Sequence, residues 1–186
     1  MPVTRDQISQ LAQSIAKAPL PQAVATRIVG VDGYGGAGKS TVARLIAAEL
    51  NNSTIVPTDD FASWDGQFDW WPRMIQQVLK PLAFGLPARY QRYDWNLRQL
   101  SEWIDLPRLP SFVLIEGVGA TRKEFDAYLC YRIWVDAPPR VRLQRGLVRD
   151  GEAMKGMWEH WMAAEEEHFR KDQPTGRADV IVSGVS

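Results

Sequence analysis

Residues 27–41 read RIVGVDGYGGAGKST, and the organisation of the fold follows from this stretch. Residues 27–32 are an apolar run that predicts a buried β-strand, residues 33–40 match GxxxxGK followed by Ser or Thr, and residues 41–50 predict a helix. A glycine-rich loop at the start of a helix brings unpaired backbone N–H groups close to an anion, because no side chains stand in the way. Strand, spacing and helix together predict a loop that binds the phosphates of a nucleotide.

The mechanics of this motif suggest a role for each part of the loop. Lys39 is expected to reach the β and γ phosphates of the donor, and the Ser40 hydroxyl to bind the magnesium ion that neutralises them. The implied cofactors are Mg²⁺ and ATP or GTP as phosphoryl donor. The nucleotide-binding residues predicted from the motif are Gly33, Tyr34, Gly35, Gly36, Ala37, Gly38, Lys39, Ser40 and Thr41.

The composition is that of an ordinary globular chain, with 186 residues, 45% of them hydrophobic, and 22 basic against 22 acidic residues. It predicts a single domain over residues 1–186 in the cytoplasm, and it disfavours nucleic-acid binding, which requires a basic excess. No apolar run approaches a membrane span, so no membrane association is expected. Cys130 is the only cysteine and is expected to be buried and inert. The sequence is compatible with a homo-oligomer but locates no interface.

Apolar runs alternate with helical patterns along the chain, which favours a parallel sheet covered on both faces. We therefore expect an α/β, three-layer P-loop NTPase fold with a central parallel sheet, helices on both faces and a small helical lid. Residues 84–110 are expected to hold a hairpin and a helix. The predicted strands are residues 27–32, 53–57, 111–116, 131–136 and 178–182. The predicted helices are an N-terminal helix within residues 1–20, then 41–50, 73–80, 139–149, and a lid with its following helix over 150–169.

Acidic residues fall where predicted strands end, at the edge of the sheet that also holds the loop. Phosphoryl transfer requires an aligned acceptor hydroxyl and a group that takes up its proton, and Asp59 is the predicted general base. Asp60 is either a second polar contact or a turn cap. Glu116 ends residues 111–116 and is predicted to hold magnesium directly or through water. Asp136 is expected to cap the next helix.

Four arginines, Arg140, Arg142, Arg145 and Arg149, lie on the predicted helix over residues 139–149, and helical spacing cannot direct all of them to one place. Most are expected to face solvent. Arg145 and Arg149 share a helix face next to the start of the lid, so both are catalytic candidates, and one or the other is predicted to neutralise charge on the transferred group.

Polar residues of the following segment suggest no chemistry. Residues 165–167 are three successive glutamates, which predicts a solvated helix face. His160 and His168 lack the neighbours of a metal site and are assigned no catalytic role.

In order from about Arg27 to Val182, the chain resembles the uridine kinase group of the uridine kinase, phosphoribulokinase and pantothenate kinase family. Residues 58–61, TDDF, resemble the family's Asp-x-Phe segment, whose first Asp is the catalytic base, which implies this role for Asp59. Residues 66–69, GQFD, resemble a segment whose Asp binds ribose hydroxyls, and residues 93–95, YDW, one whose Tyr contacts the nucleoside. The resemblance thus implies acceptor binding by Asp69 and Tyr93. Residues 113–117, VLIEG, resemble the strand that carries the magnesium-associated Glu.

The chain also departs from that family pattern on the acceptor side. Asn96-Leu97-Arg98 replaces a base-reading His, Ala62 replaces a tyrosine, and the lid is short. Arg98 is included as an acceptor-binding candidate.

The sequence therefore predicts a magnesium-dependent kinase that phosphorylates a hydroxyl of a small, nucleoside-like acceptor. A sugar, a vitamin precursor or an antibiotic remains as alternative acceptor. A regulatory P-loop ATPase is a weaker alternative, because Asp59, Asp69 and Tyr93 form an acceptor-side set that a switch does not require.

Overall fold

The computed structural model describes residues 3–184 and contains one central sheet, a separate hairpin and helices on both faces of the sheet. The strands are β1 Arg27–Asp32, β2 Ser53–Pro57, β3 Arg89–Asp94, β4 Gln99–Asp105, β5 Phe112–Glu116, β6 Leu129–Asp136 and β7 Val180–Ser183. The helices are α1 Arg5–Lys17, α2 Lys39–Glu49, α3 Trp71–Met74, α4 Lys80–Ala83, α5 Pro139–Asp150 and α6 Lys155–Asp172. A π-helical stretch, Ile75–Leu79, joins α3 to α4.

The central sheet has the strand order β2-β5-β1-β6-β7, and every pair of neighbours is parallel. β1 therefore lies in the middle, and the glycine-rich loop leaves it at the carboxyl edge of the sheet. Val31 pairs with Glu116 of β5, so the end of β5 lies next to the start of the loop. The topology places the loop and the ends of β2 and β5 at one edge.

Both faces of the sheet are buried, because successive strand residues point to opposite sides. Val29 and Val31 of β1 pack with α1 and α2, whereas Ile28 packs with the α3–α4 region and the hairpin. Each face thus has its own apolar core, which is the three-layer arrangement predicted from the alternating pattern.

Element bounds differ from the predictions in places that have local causes. Thr4 and Gln7 form a capping box that starts α1 within the predicted 1–20 segment. α2 begins at Lys39, inside the motif. Residues 84–110, all of which the structure describes, form the hairpin of β3 and β4 without the expected helix. The Asp94 carboxylate accepts hydrogen bonds from the amides of Asn96 and Leu97, which closes the hairpin turn instead.

The C-terminal part follows the expected order of a turn and a long helix. A 3₁₀ turn, Glu152–Met154, follows α5 and leads into α6. Residues 1, 2, 185 and 186 of the predicted domain lie outside the described residues. None of the described helices is long and apolar enough to cross a membrane. Cys130 is buried, and burial raises the pKa of its thiol.

Candidate active site

The glycine-rich loop packs closely against the backbone of β6 and α5. Gly36 has a φ of +74°, and a Cβ atom there would lie 2.5 Å from the carbonyl oxygen of Arg142. Gly33 has a φ of +142°, and its Cβ atom would lie 2.2 Å from the carbonyl oxygen of Val135. Both positions require glycine for conformation and for space. The loop therefore keeps its backbone exposed toward the cleft while its other side packs on neighbouring chain.

The Asp32 carboxylate, at the end of β1, ties the loop to the segment that follows β5. Its oxygens accept hydrogen bonds from the amides of Gly33 at 2.7 Å, Gly119 at 2.9 Å and Thr121 at 2.8 Å, and from the Thr121 hydroxyl at 2.8 Å. Burial raises the pKa of Asp32, and these donors and Lys39 act in the opposite direction. Sequence reasoning assigned Asp32 no role, although an aspartate that closes an apolar strand is a usable signal.

A cleft of about 690 Å³ lies over the loop and is the candidate active site. It brings together six of the predicted site side chains from four parts of the chain: the loop and α2, the turn after β2, the end of β5, and α5. These six are Lys39, Ser40, Asp59, Glu116, Arg145 and Arg149. Gly35, Gly36, Gly38 and Thr41 of the motif also line the cleft.

Three other motif residues do not line the cleft. Gly33 and Ala37 pack inward, and the Tyr34 ring lies edge-on against Trp134 and Phe169 at centroid distances of 5.6 and 4.9 Å. Tyr34 therefore contributes to packing behind the loop, and its backbone is the part that lies in the loop itself.

The two side chains predicted to bind magnesium, Ser40 and Glu116, both line the cleft. The Ser40 hydroxyl donates a hydrogen bond to Glu116 Oε1 at 3.1 Å, so the two oxygens lie next to each other. Burial raises the pKa of Glu116, and the positive charge of Lys39 opposes this shift. A hydroxyl and a carboxylate fit Mg²⁺, which prefers oxygen ligands and takes its remaining ligands from water and substrate phosphates.

Asp59 lies in a 3₁₀ turn, Thr58–Asp60, directly after β2, with its side chain exposed to the cleft. Its carbonyl oxygen accepts a hydrogen bond from Trp95 Nε1 at 3.0 Å, and the carbonyl oxygen of Trp95 accepts one from Trp64 Nε1 at 3.2 Å. The two indole rings meet edge to face at 5.5 Å. They line the cleft beside Asp59, together with Gln67. The sequence alone did not single out Trp95.

Asp60 faces away from the cleft. Its carboxylate accepts a hydrogen bond from the Tyr90 hydroxyl at 2.7 Å and lies 3.5 Å from Arg92 Nε. Burial raises the pKa of Asp60, and the hydrogen bond from Tyr90 lowers it. The side chain therefore joins the turn to β3, rather than capping the turn or entering the cleft as predicted.

The predicted acceptor-binding residues Asp69, Tyr93 and Arg98 do not line the cleft. Asp69 and Tyr93 line a second cavity of about 370 Å³, and the Tyr93 ring lies edge-on against Trp95 at 5.3 Å. Arg98 is exposed in the hairpin turn, where its guanidinium lies 5.3 Å from the centre of the Trp64 ring. Trp95 therefore contacts both Tyr93 and the Asp59 carbonyl oxygen, and Trp64 contacts Arg98.

The arginines of α5 have different environments. Arg145 Nη1 donates to the carbonyl oxygens of Gly36 and Ala37 at 3.2 and 3.4 Å, so its guanidinium lies against the loop. Arg149 makes two hydrogen bonds with Asp150, at 2.8 and 2.9 Å, which lower the pKa of Asp150.

The prediction that most of these arginines face solvent is wrong for Arg142. Arg142 is buried, with its guanidinium 4.1 Å from the centre of the Tyr34 ring. Burial is tolerated because the aromatic face attracts the cation and Arg142 Nε donates to the Ala137 carbonyl oxygen at 3.1 Å.

The predicted solvated face over residues 165–167 is correct for Glu166 and Glu167 and wrong for Glu165, which is 0% exposed. Glu165 lies on the same side of α6 as Trp158, Trp161 and Phe169, at spacings of seven, four and four residues. That apolar stripe packs over the loop, and Glu165 is buried because it lies on the same face of α6. The stripe was visible in the sequence and is the signal that could have identified this residue.

The chain is similar to curated uridine kinases along most of its length. The uridine kinase of Halalkalibacterium halodurans is 26% identical over 178 residues, which cover 83% of this chain and 84% of that protein. The uridine kinase of Staphylococcus carnosus is 26% identical over 182 residues, which cover 85% and 87%. No family model matches the chain.

The fold also has a close counterpart among solved structures. A possible uridine kinase from Bacillus stearothermophilus superposes with a TM-score of 0.71 at 21% identity, covering 96% of this chain and 98% of that one. The expected three-layer P-loop fold and the resemblance to the uridine kinase group are thereby confirmed.

Proposed function

We propose that this chain, a uridine kinase-like P-loop kinase and hence a phosphotransferase, moves the γ-phosphoryl group of ATP or GTP to a hydroxyl of a nucleoside-like acceptor. One observation carries the proposal. The Asp59 carboxylate lines the same cleft as Lys39 and Ser40 of the glycine-rich loop. A carboxylate so placed is what an incoming hydroxyl requires, whereas a binding module or a switch does not require it.

The donor is held by the loop in this proposal. Backbone amides at the start of α2 and the Lys39 ammonium bind the phosphates. Ser40 and Glu116 would hold Mg²⁺, which would supply positive charge to offset that of the phosphate oxygens. Arg145, at the loop, and Arg149, at the end of α5, neutralise the charge that develops on the transferred group.

The acceptor enters beside Asp59. The Asp59 carboxylate takes the proton of the acceptor hydroxyl as the new oxygen–phosphorus bond forms, and the bond to the bridging oxygen breaks to release the nucleoside diphosphate. Trp64 and Trp95 offer aromatic surface for a planar base, and Gln67 offers a polar contact. Asp69, Tyr93 and Arg98 remain predicted acceptor contacts, reached through the neighbouring cavity or the hairpin turn. The single domain over residues 1–186 likewise remains a proposal.

An acceptor panel tests the proposal. Purified protein with magnesium and ATP or GTP is offered nucleosides, sugars, pantothenate-like alcohols and aminoglycosides, and release of the nucleoside diphosphate is measured. We expect release above the acceptor-free background with a nucleoside, and loss of that release in Asp59→Asn. A flat response to all nucleosides rejects the acceptor class. Release that needs no acceptor and survives Asp59→Asn rejects the kinase reaction.

A further inference from the structure

One peptide unit of the glycine-rich loop is held at both of its ends. The carbonyl oxygen of Tyr34 accepts a hydrogen bond from Lys39 Nζ at 2.9 Å. The N–H of Gly35, which belongs to the same peptide, donates to Glu165 Oε1 at 2.8 Å. Because a peptide is planar, the orientation of its N–H fixes that of its carbonyl. Glu165 and Lys39 are therefore coupled through a single rigid unit.

The Glu165 carboxylate is built into the protein interior. Its Oε1 also accepts a hydrogen bond from Trp161 Nε1 at 2.6 Å, and its side chain is fully buried. A Cβ atom added at Gly35 would lie 2.9 Å from Glu165 Oε1 and 3.2 Å from Trp161 Nε1. α6 thus lies directly on the loop, and it reaches the loop amide with the charged end of one side chain.

The second oxygen of the Glu165 carboxylate, Oε2, has a nearby positive charge but no hydrogen bond within the described part of the chain. Glu165 Oε2 lies 3.8 Å from Arg142 Nη1, and neither atom has a hydrogen-bond partner within residues 3–184. Burial raises the pKa of Glu165, while the charge of Lys39, the Gly35 amide and Arg142 act to lower it. A buried carboxylate that lacks a full set of partners is costly to keep in a fold. Among the residues that the structure describes, its two hydrogen bonds both go to Oε1, one from Trp161 Nε1 of its own helix and one from the Gly35 amide of the loop.

We propose that Glu165 is a positioning residue for the donor. By holding the Gly35 amide it fixes the Tyr34–Gly35 peptide, and so sets where Lys39 lies and how tightly the loop binds a nucleoside polyphosphate. This inference rests on the proposed use of the loop for a nucleotide donor. It assigns to the helix after the lid a role in donor binding that does not involve contact with the donor.

Calorimetric binding of magnesium with ADP or ATP, without acceptor, tests the inference. Gln at position 165 keeps an oxygen acceptor for Gly35, Asp is too short to reach it, and Ala removes it. We expect Glu165→Gln to bind like wild type and Glu165→Asp more weakly. Glu165→Ala should lose about tenfold in affinity, which corresponds to about 1.4 kcal/mol. Faster hydrogen exchange at the Gly35 amide, followed by NMR, should accompany the loss.

The matched control is the exposed neighbour, Glu166→Gln, which we expect to bind like wild type. Wild-type affinity in Glu165→Ala overturns the inference, and so does an affinity in Glu165→Gln as low as that in Glu165→Asp. Weakening in Glu166→Gln equal to that in Glu165→Ala overturns it as well. If Glu165→Ala does not fold, the affinities of the other two variants test the inference, because Glu165→Gln should bind nucleotide more tightly than Glu165→Asp. Absence of nucleotide binding by wild type instead rejects the proposed function.

Discussion

The donor side and the acceptor side of the cleft are constructed differently. The loop is held by buried carboxylates from two distant parts of the chain, Asp32 and Glu165, with several short hydrogen bonds to backbone amides. Asp59, on the acceptor side, is exposed, and its turn is held by side chains of the hairpin, through Trp95 at the Asp59 carbonyl oxygen and Tyr90 at the Asp60 carboxylate. Under the proposed function, the donor side therefore has backbone amides held by buried carboxylates, whereas the acceptor side has an exposed carboxylate beside the indole rings of Trp64 and Trp95.

Asp59→Asn should have the largest effect of these variants, and the effect should be limited to the phosphoryl-transfer step. The amide cannot take the acceptor proton, so we expect kcat to fall by roughly 10²–10⁴-fold while affinity for the donor is unchanged. Steady-state rates with the best acceptor and calorimetric ADP binding provide the measurement. Unchanged turnover would show that the two sides do not divide the work in this way.

Asp32→Asn tests the donor side as a structural unit. The amide replaces one oxygen acceptor by a donor that faces backbone N–H groups, so we expect a loss of about 2–4 kcal/mol in the free energy of unfolding. Urea unfolding measures it. Asp65→Asn, at an exposed site of similar chemistry, is the control and should change stability little. Equal stability of the two variants would contradict the view that Asp32 holds the loop.

Trp95→Phe sharpens the acceptor side of the comparison. Phenylalanine keeps an aromatic ring but cannot donate to the Asp59 carbonyl, so the turn is less well fixed. We expect the KM for acceptor to rise about three- to tenfold, the equivalent of a hydrogen bond of about 1 kcal/mol, with the KM for donor unchanged. An equal change in both KM values would mean that the two sides are not independent.

The smallest expected effect is a pH dependence from Glu165. Burial raises its pKa in the folded chain above the ordinary value of 4.5, so between those two pKa values the folded state binds more protons than the unfolded state. Wild type should therefore lose stability relative to Glu165→Gln as the pH rises through the folded pKa, despite the charges of Lys39 and Arg142. Urea unfolding of both proteins at acidic and at mildly alkaline pH measures the difference. A constant difference between them would contradict the shift.

The features that could be predicted from the sequence are those formed by residues close together in the chain or placed by the order of the strands. The loop motif, the strand before it and the helix after it all lie within residues 27–50. The placement of Glu116 and Asp59 beside the loop follows from the rule that the carboxyl ends of parallel strands meet at one edge of the sheet. The apolar stripe of α6 could have indicated that Glu165 is buried, but its contact with Gly35 could not be predicted, since the two residues are 130 positions apart. Trp95 reaches Asp59 only because a hairpin forms within residues 84–110, where part of the segment was expected to be helical. Residues 165–167 were predicted from their charge to form a solvated helix face. Glu165 is nevertheless buried, because it lies on the face of α6 that packs over the loop.

The hairpin of β3 and β4 shares no strand pairing with the central sheet. It nevertheless holds the turn that carries Asp59, because Tyr90 and Trp95 donate hydrogen bonds to that turn. Because β3 and β4 pair only with each other within residues 3–184, a change in the hairpin turn acts on the position of Asp59 without breaking a strand pair of the central sheet.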